Sequence, residues 1–315
     1  MLMLASLLGA LMVGAMTVMP ETGQVDAEPD DSTEDETEEL RAETPESGDI
    51  LTGSADDDTL DGGSASEQLV GSDGDDLMSG HAGNDSLNGQ SGADSLLGGD
   101  GTDTLSGGDG DDLLDGGQDE DVLSGMTGGD TLVGGSGTDS LNGGPDNDLL
   151  RGSGGDDQLS GCLGDDTLVG GGGSDALFGG QGNDVIVDRS DDLDFLNGGL
   201  GDDTLIGGMG DYFHGGDGSD IYAIELSEEI SDETAPAIIQ DFDAKEDDLF
   251  VLYDDSMDED TPTLSLDQDL GEDGMRCIRV DGTVVAKTDS TSLTEDDVIL
   301  LSAREAASFG LHAFA

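Results

Sequence analysis

From Gly53 to Ala223 a large apolar residue returns at every ninth position, and the residues between are mostly glycine, aspartate and small polar side chains. Gly98-Gly99-Asp100-Gly101-Thr102-Asp103-Thr104-Leu105-Ser106 is a clean copy of the unit, and the next begins at Gly107 without a linker. Eighteen units start at Gly53, at every ninth residue to Gly179, and then at Gly198, Gly207 and Gly215. Position one is always glycine, and position four is glycine except at Asp56, Ala65, Asp119 and Asp146. Position six is aspartate except at Glu67, and position eight is leucine or, at Met78, Ile186, Phe213 and Tyr222, another large apolar residue. Glycine at positions one and four predicts positive φ and a turn over the first six residues. Aspartate at position four tolerates left-handed geometry better than most residues. Positions seven to nine then predict a very short strand, with position eight pointing to one face. A strand that buries one leucine cannot stand alone, so the units must stack as a solenoid around a leucine ladder.

Two irregularities keep this phase. Asp188 to Asn197 is a ten-residue rung without glycine, and counting back from Asn197 places Asp194 at position six and Leu196 at position eight. The eight residues from Gly207 to His214 read as a unit that has lost position five, leaving Asp211 and Phe213 in their roles. Stacked turns bring Asp carboxylates and backbone carbonyls into rows, and rows of hard oxygen ligands suit Ca²⁺ better than zinc or copper. A disordered Gly/Asp tract would not hold leucine to one phase in nine.

The unit resembles the G-G-x-G-x-D-x-U-x nonapeptide of the RTX (hemolysin-type calcium-binding) proteins. The resemblance covers a little over half of the chain. It implies an all-β, right-handed parallel β-roll in which two nonapeptides make one coil and Ca²⁺ lies between stacked turns on the same side. The implied ligands are carbonyls around positions two and four and the position-six carboxylates. Those are Asp58, Asp76, Asp85, Asp94, Asp103, Asp112, Asp121, Asp130, Asp139, Asp148, Asp157, Asp166, Asp175, Asp184, Asp203, Asp211 and Asp220.

Outside the array, residues 1–20 carry an uncharged apolar run, Leu2 to Met19, for which a cleavable signal and an uncleaved membrane anchor both stay open. It lacks an initial Lys or Arg, and it departs from the type I secretion, read from the C-terminus, that is common in the resembled family. Residues 21–52 are acidic and poor in apolar side chains, which predicts a disordered spacer, either a stalk or a solubilising leader. Residues 224–315 predict a β-rich cap over the open end of the solenoid. Its strands are read at Ile221–Leu226, Ile238–Asp243, Asp248–Leu252, Asp297–Leu301 and a hairpin, Arg276–Val280 with Thr283–Lys287, turning at Asp281-Gly282. Ile238–Asp243 and Asp248–Leu252 resemble the segment that often follows RTX arrays, where caps also nucleate folding and carry a secretion signal. The apolar tail from Phe309 to Ala315 is compatible with such a signal.

Composition sharpens this picture. A net charge of −68 disfavours nucleic acid, anionic lipid surfaces and polyanionic substrates as partners. The array holds 38 acids against Arg151 and Arg189, and one Ca²⁺ for each of the seventeen position-six aspartates would nearly cancel its net −36. The two cysteines, Cys162 and Cys277, exclude a disulfide framework. No H-E-x-x-H or G-x-S-x-G occurs, and His81, His214 and His312 show no partner at ligand or triad spacing, so no enzyme is expected. The sequence predicts a secreted or surface-tethered calcium-binding protein that folds on meeting Ca²⁺ outside the cell. The alternatives are an adhesin or matrix component whose calcium-stiffened roll presents the cap to a surface partner, and, more weakly, a small hydrolase in the C-terminal region.

Overall fold

Alternate nonapeptides feed two facing sheets, because eighteen residues return the chain to the same edge. The structure is a computed structural model and describes residues 39–41, 48, 50–226, 234–253, 262–267, 270–271, 274–309 and 311. Residues 1–36 lie outside the described residues. The apolar run 2–19, most of the spacer and His312 therefore lie outside the described residues.

Among the described residues one sheet has 13 strands and the other 14, and the chain is an all-β parallel β-roll. Ser95–Asp100 pairs in parallel with Leu113–Gln118 in the first sheet, and Thr104–Asp109 with Val122–Thr127 in the second. The register is one coil of eighteen residues, as in Leu96↔Leu114 and Leu141↔Leu159. Position eight is buried along the whole array, and these side chains form one continuous column between the sheets. Most strands of the array are six residues long rather than the three expected, running from position seven through position three of the next unit. The ladder continues past position one because the glycine there keeps an ordinary backbone conformation.

Both irregular rungs hold the phase. Leu177 pairs with Leu196 across the ten-residue rung, and Leu196 pairs with Phe213 across the shortened one. Two strands also lie within the segment whose composition predicts a spacer. Glu39–Arg41 pairs in parallel with Thr59–Gly63, and Ile50–Thr52 with Gln68–Asp73.

After the last glycine-rich unit the same two sheets continue in parallel. Ile221–Glu225 is followed across the sheet by Asp248–Tyr253 and Val298–Ser302, and Tyr212–Asp217 by Ala237–Gln240 and Thr283–Thr288. The antiparallel hairpin Arg276–Val280/Thr283–Thr288 then turns at Asp281 and Gly282, both with positive φ, and Leu264–Leu266 adds the last strand. A second apolar cluster sits on the outer side of the first sheet. Val187, Ile206 and Ala223, all at position nine, are covered there with Phe250, Leu252 and Leu301 by Ala306 and Leu311. A short helical turn, Ala303–Ala306, followed by Ala307–Phe309, brings the chain end to that face.

Candidate metal centre

All seventeen position-six aspartates named above are buried, none more than 4% exposed. Each strand's first ladder bond draws the preceding aspartate into the stack, as where Leu113 N donates to Asp94 O (2.8 Å). The carboxylates then link coil to coil. Asp85 N donates to Asp103 Oδ1 (2.7 Å), Asp103 N to Asp121 Oδ1 (2.7 Å) and Asp121 N to Asp139 Oδ1 (2.8 Å). Because the link spans eighteen residues, alternate units build two separate carboxylate rows.

Only one oxygen of each carboxylate is used this way. From Asp76 through Asp184, and again at Asp203, the second oxygen of every position-six aspartate is buried with no hydrogen-bond partner. A buried carboxylate oxygen without a donor is costly, and a row of them demands either protons or cations. At the start of the array and at the shortened unit the turn itself supplies a donor. Ser54 Oγ donates to Asp58 Oδ2 (2.9 Å), and Gly208 N to Asp211 Oδ2 (2.6 Å).

The glycines around this row divide their work differently from the sequence expectation. Positive φ falls at positions two and four, as at Gly99 and Gly101, and not at position one. Position one is glycine for clearance. A Cβ on Gly116 would lie 2.5 Å from Asp121 Oδ2 and 2.7 Å from Gly134 O of the next coil. The free carboxylate oxygen and a carbonyl thus converge on the space a side chain would fill. At position two the left-handed backbone is also carried by Ser72, His81, Gln90, Met126, Ser153 and Cys162, and at position four by Asp119 and Asp146.

Electrostatics agree with the geometry. Burial first, and then neighbouring carboxylates, push Asp112, Asp121, Asp148, Asp203 and Asp211 up to about 7, against the partial relief of a backbone N–H. Asp76, Asp85, Asp130, Asp157, Asp166, Asp175, Asp184 and Asp220 are raised to about 6 for the same reasons. A site that resists ionisation when empty of charge partners and offers only hard oxygens fits Ca²⁺.

Several features escape the motif. Glu67 takes its place in the row: its N–H donates to Asp85 Oδ1 (2.7 Å), its Oε2 accepts from Gly63 N (3.1 Å), and its Oε1 is buried without a partner. Asp194, at position six of the glycine-free rung, accepts from Asp175 N (2.8 Å) and belongs to the row as well. Position five builds a second, exposed ladder running the other way, with Asp165 N donating to Asn147 Oδ1 and Asn183 N to Asp165 Oδ1 (both 2.8 Å). The frequent Asp or Asn at that position is the signal that could have revealed it.

Two histidines have carboxylate partners, contrary to the sequence expectation, because the partners come from another coil or from beyond the array. His81 Nε2 meets Asp61 Oδ1, and His214 Nδ1 lies 3.0 Å from Asp241 Oδ2. Asp241 also accepts from Gly216 N (2.9 Å) and from the Tyr222 hydroxyl (3.2 Å), tying the end of the array to the following strand. Cys162 and Cys277 are both free thiols.

A family profile described as RTX calcium-binding nonapeptide repeat (4 copies) matches residues 46–76, 61–96, 88–123, 97–132, 124–159, 133–168, 151–186 and 190–222, together more than half of the chain. No curated protein sequence matches. Among solved structures the chain is similar to the extracellular lipase LipA from Serratia marcescens, at 14% identity and a TM-score of 0.19, over 82% of this chain. It spans 41% of that lipase's length.

Proposed function

The chain belongs to the RTX calcium-binding nonapeptide-repeat family, and from that premise we propose that its folding is coupled to Ca²⁺ binding and completed outside the cell. The reading rests above all on the buried carboxylate oxygens that lack any donor from Asp76 to Asp184. Position-six carboxylates with the carbonyls beside them would hold the ions, supplying the positive charge the stack needs to close. Position-one glycines keep that space open, and position-two and position-four residues turn the carbonyls toward it.

Without metal, ionised rows at one-coil spacing repel, and one position-eight residue per rung offers little burial to offset them. Weak sites, on the order of 10⁻⁴ to 10⁻³ M as in extracellular modules, would leave the roll unfolded in low-calcium cytosol and fold it where calcium is plentiful. Among the described residues no helix is long and apolar enough to cross a membrane. Binding of metal, rather than catalysis, is the activity this reading assigns. Circular dichroism of the full chain, titrated from excess EGTA into millimolar CaCl₂, tests it: β-structure should appear with calcium, and full β-content in EGTA would refute the coupling.

A further inference from the structure

Every glycine-rich unit has glycine at position one, but the ten-residue rung opens with Asp188. Val169 pairs with Val187, so Asp188 is the next residue along from Val187, where Gly170 stands one coil earlier. Its backbone stays in the stack, with Asp188 N donating to Ile206 O (2.8 Å). Its side chain therefore enters the space that position-one glycines leave open elsewhere. A Cβ on Gly170 would meet Asp188 Oδ2 as well as Asp175 Oδ2, at 2.5 Å from the latter.

The result is a third carboxylate in a turn that otherwise has two. One oxygen from each of Asp175, Asp188 and Asp194 lies within 4.8 Å of the others, and all three residues are buried. Asp188 and Asp194 are oriented by their own rung: Ser190 N donates to Asp188 Oδ1 (2.8 Å), and Ser190 Oγ to Asp194 Oδ2 (3.1 Å). Gly171 N donates to Asp188 Oδ2 (3.1 Å). Asp175 Oδ2 is the group that points to a ligand, because it is buried, unpartnered and shares this space with the Asp188 carboxylate. The neighbouring cation, Arg189, is turned to Glu225 Oε1 (2.9 Å) and Leu311 O (3.0 Å).

We propose that Asp175, Asp188 and Asp194 form a distinct Ca²⁺ site that fills before the regular rungs, its ion ordering the two coils that carry the three carboxylates. Resting on the calcium-binding reading above, this adds one site whose extra charge comes from a residue outside the repeat motif. Carboxylate count tunes calcium affinity, and a buried all-oxygen site leaves little room for the waters Mg²⁺ retains. The ion also sits where the rung has no glycine at positions one, two or four, so it holds together the least regular turn of the stack.

The test is equilibrium binding of ⁴⁵Ca²⁺ to the metal-free full chain, compared with D188N and D188G. Wild type should take up one ion at a free calcium concentration about 10-fold or more below the remainder, the order by which ligand charge tunes such sites. Both variants should lose that step and keep the later ions. D188G restores the glycine found at every other position one, and circular dichroism in saturating calcium checks that both variants fold. A variant that retains the early step, or a wild type that loads all ions together, overturns the proposal and leaves calcium binding intact. A wild type that loads no calcium overturns both readings. A crystal structure of wild type at sub-saturating calcium decides the matter if the variants do not fold: an ion between the three carboxylates supports the site, and ions only at regular rungs refute it.

Discussion

Leu150→Ala separates the apolar column from the metal rows, since it removes no ligand. Leu150 is fully buried, stacked between Leu132 and Leu168 in its own sheet and facing the sheet that carries Leu141 and Leu159. Truncating a buried leucine typically costs about 2–5 kcal/mol. A one-residue-thick column gives each side chain few neighbours, so the low end, about 2 kcal/mol, applies. If folding takes up several ions in one step, that cost is divided among them in the calcium midpoint. The midpoint should rise about 2.3-fold for roughly four ions and about 1.5-fold for roughly eight. Urea unfolding in saturating calcium measures the cost itself, and calcium titration followed by circular dichroism measures the shift, so the two together count the ions coupled to folding. Asn142→Ala is the control, at an exposed position nine whose amide donates only to Cys162 Sγ (3.3 Å). Equal midpoints for Leu150→Ala and Asn142→Ala would refute an interior position eight.

Gly116→Ser should raise the calcium midpoint sharply because its Cβ meets Asp121 Oδ2 and Gly134 O, whereas Ser153→Ala, at a position two that already carries a side chain at positive φ, should leave it nearly unmoved; equal effects in a calcium titration would contradict the clearance role of position one. Asp103→Ala should shift that midpoint more than Glu67→Ala, since Asp103 lies in a clean unit and Glu67 in the one unit without a position-six aspartate; a larger shift at Glu67 would reverse the assignment. Acid should favour the metal-free fold. Asp112, Asp121, Asp148, Asp203 and Asp211 are raised from 3.8 to about 7. A raised folded-state value contributes stability below the unfolded value, and that stability is lost as pH climbs through the folded one. Metal-stripped chain should therefore lose β-structure as pH rises from about 4 to about 7, while saturating calcium, which competes with protons for the same oxygens, should reverse the trend. Circular dichroism that is flat with pH in the metal-free chain would refute this.

The leucine phase was fully legible in sequence, because a one-in-nine apolar residue is a local pattern that no other arrangement of this chain could bury. The irregular rungs at Asp194 and Asp211 and the hairpin at Asp281-Gly282 follow from the same local rules, whereas the eighteen-residue coil is what the family resemblance implies. What the tertiary structure decided lies in contacts one coil or more apart. Position-one and position-four glycines look alike in sequence, and both lie close against a neighbouring coil, yet only the second take positive φ, while the first leave room for a position-six carboxylate, a distinction that exists only once the coils stack. Asp188 reads as one more acid in a degenerate rung until stacking places it beside Asp175. Position nine is an outward surface in most coils, but at Val187, Ile206 and Ala223 it is an interior, because the chain end at Ala306 and Leu311 returns to cover it. The strands after Ala223 prolong both sheets in parallel, since an open solenoid end leaves backbone donors and acceptors that the next strand satisfies. Periodicity reports what each residue faces within its own turn, and only closure of the stack determines what lies above and below it.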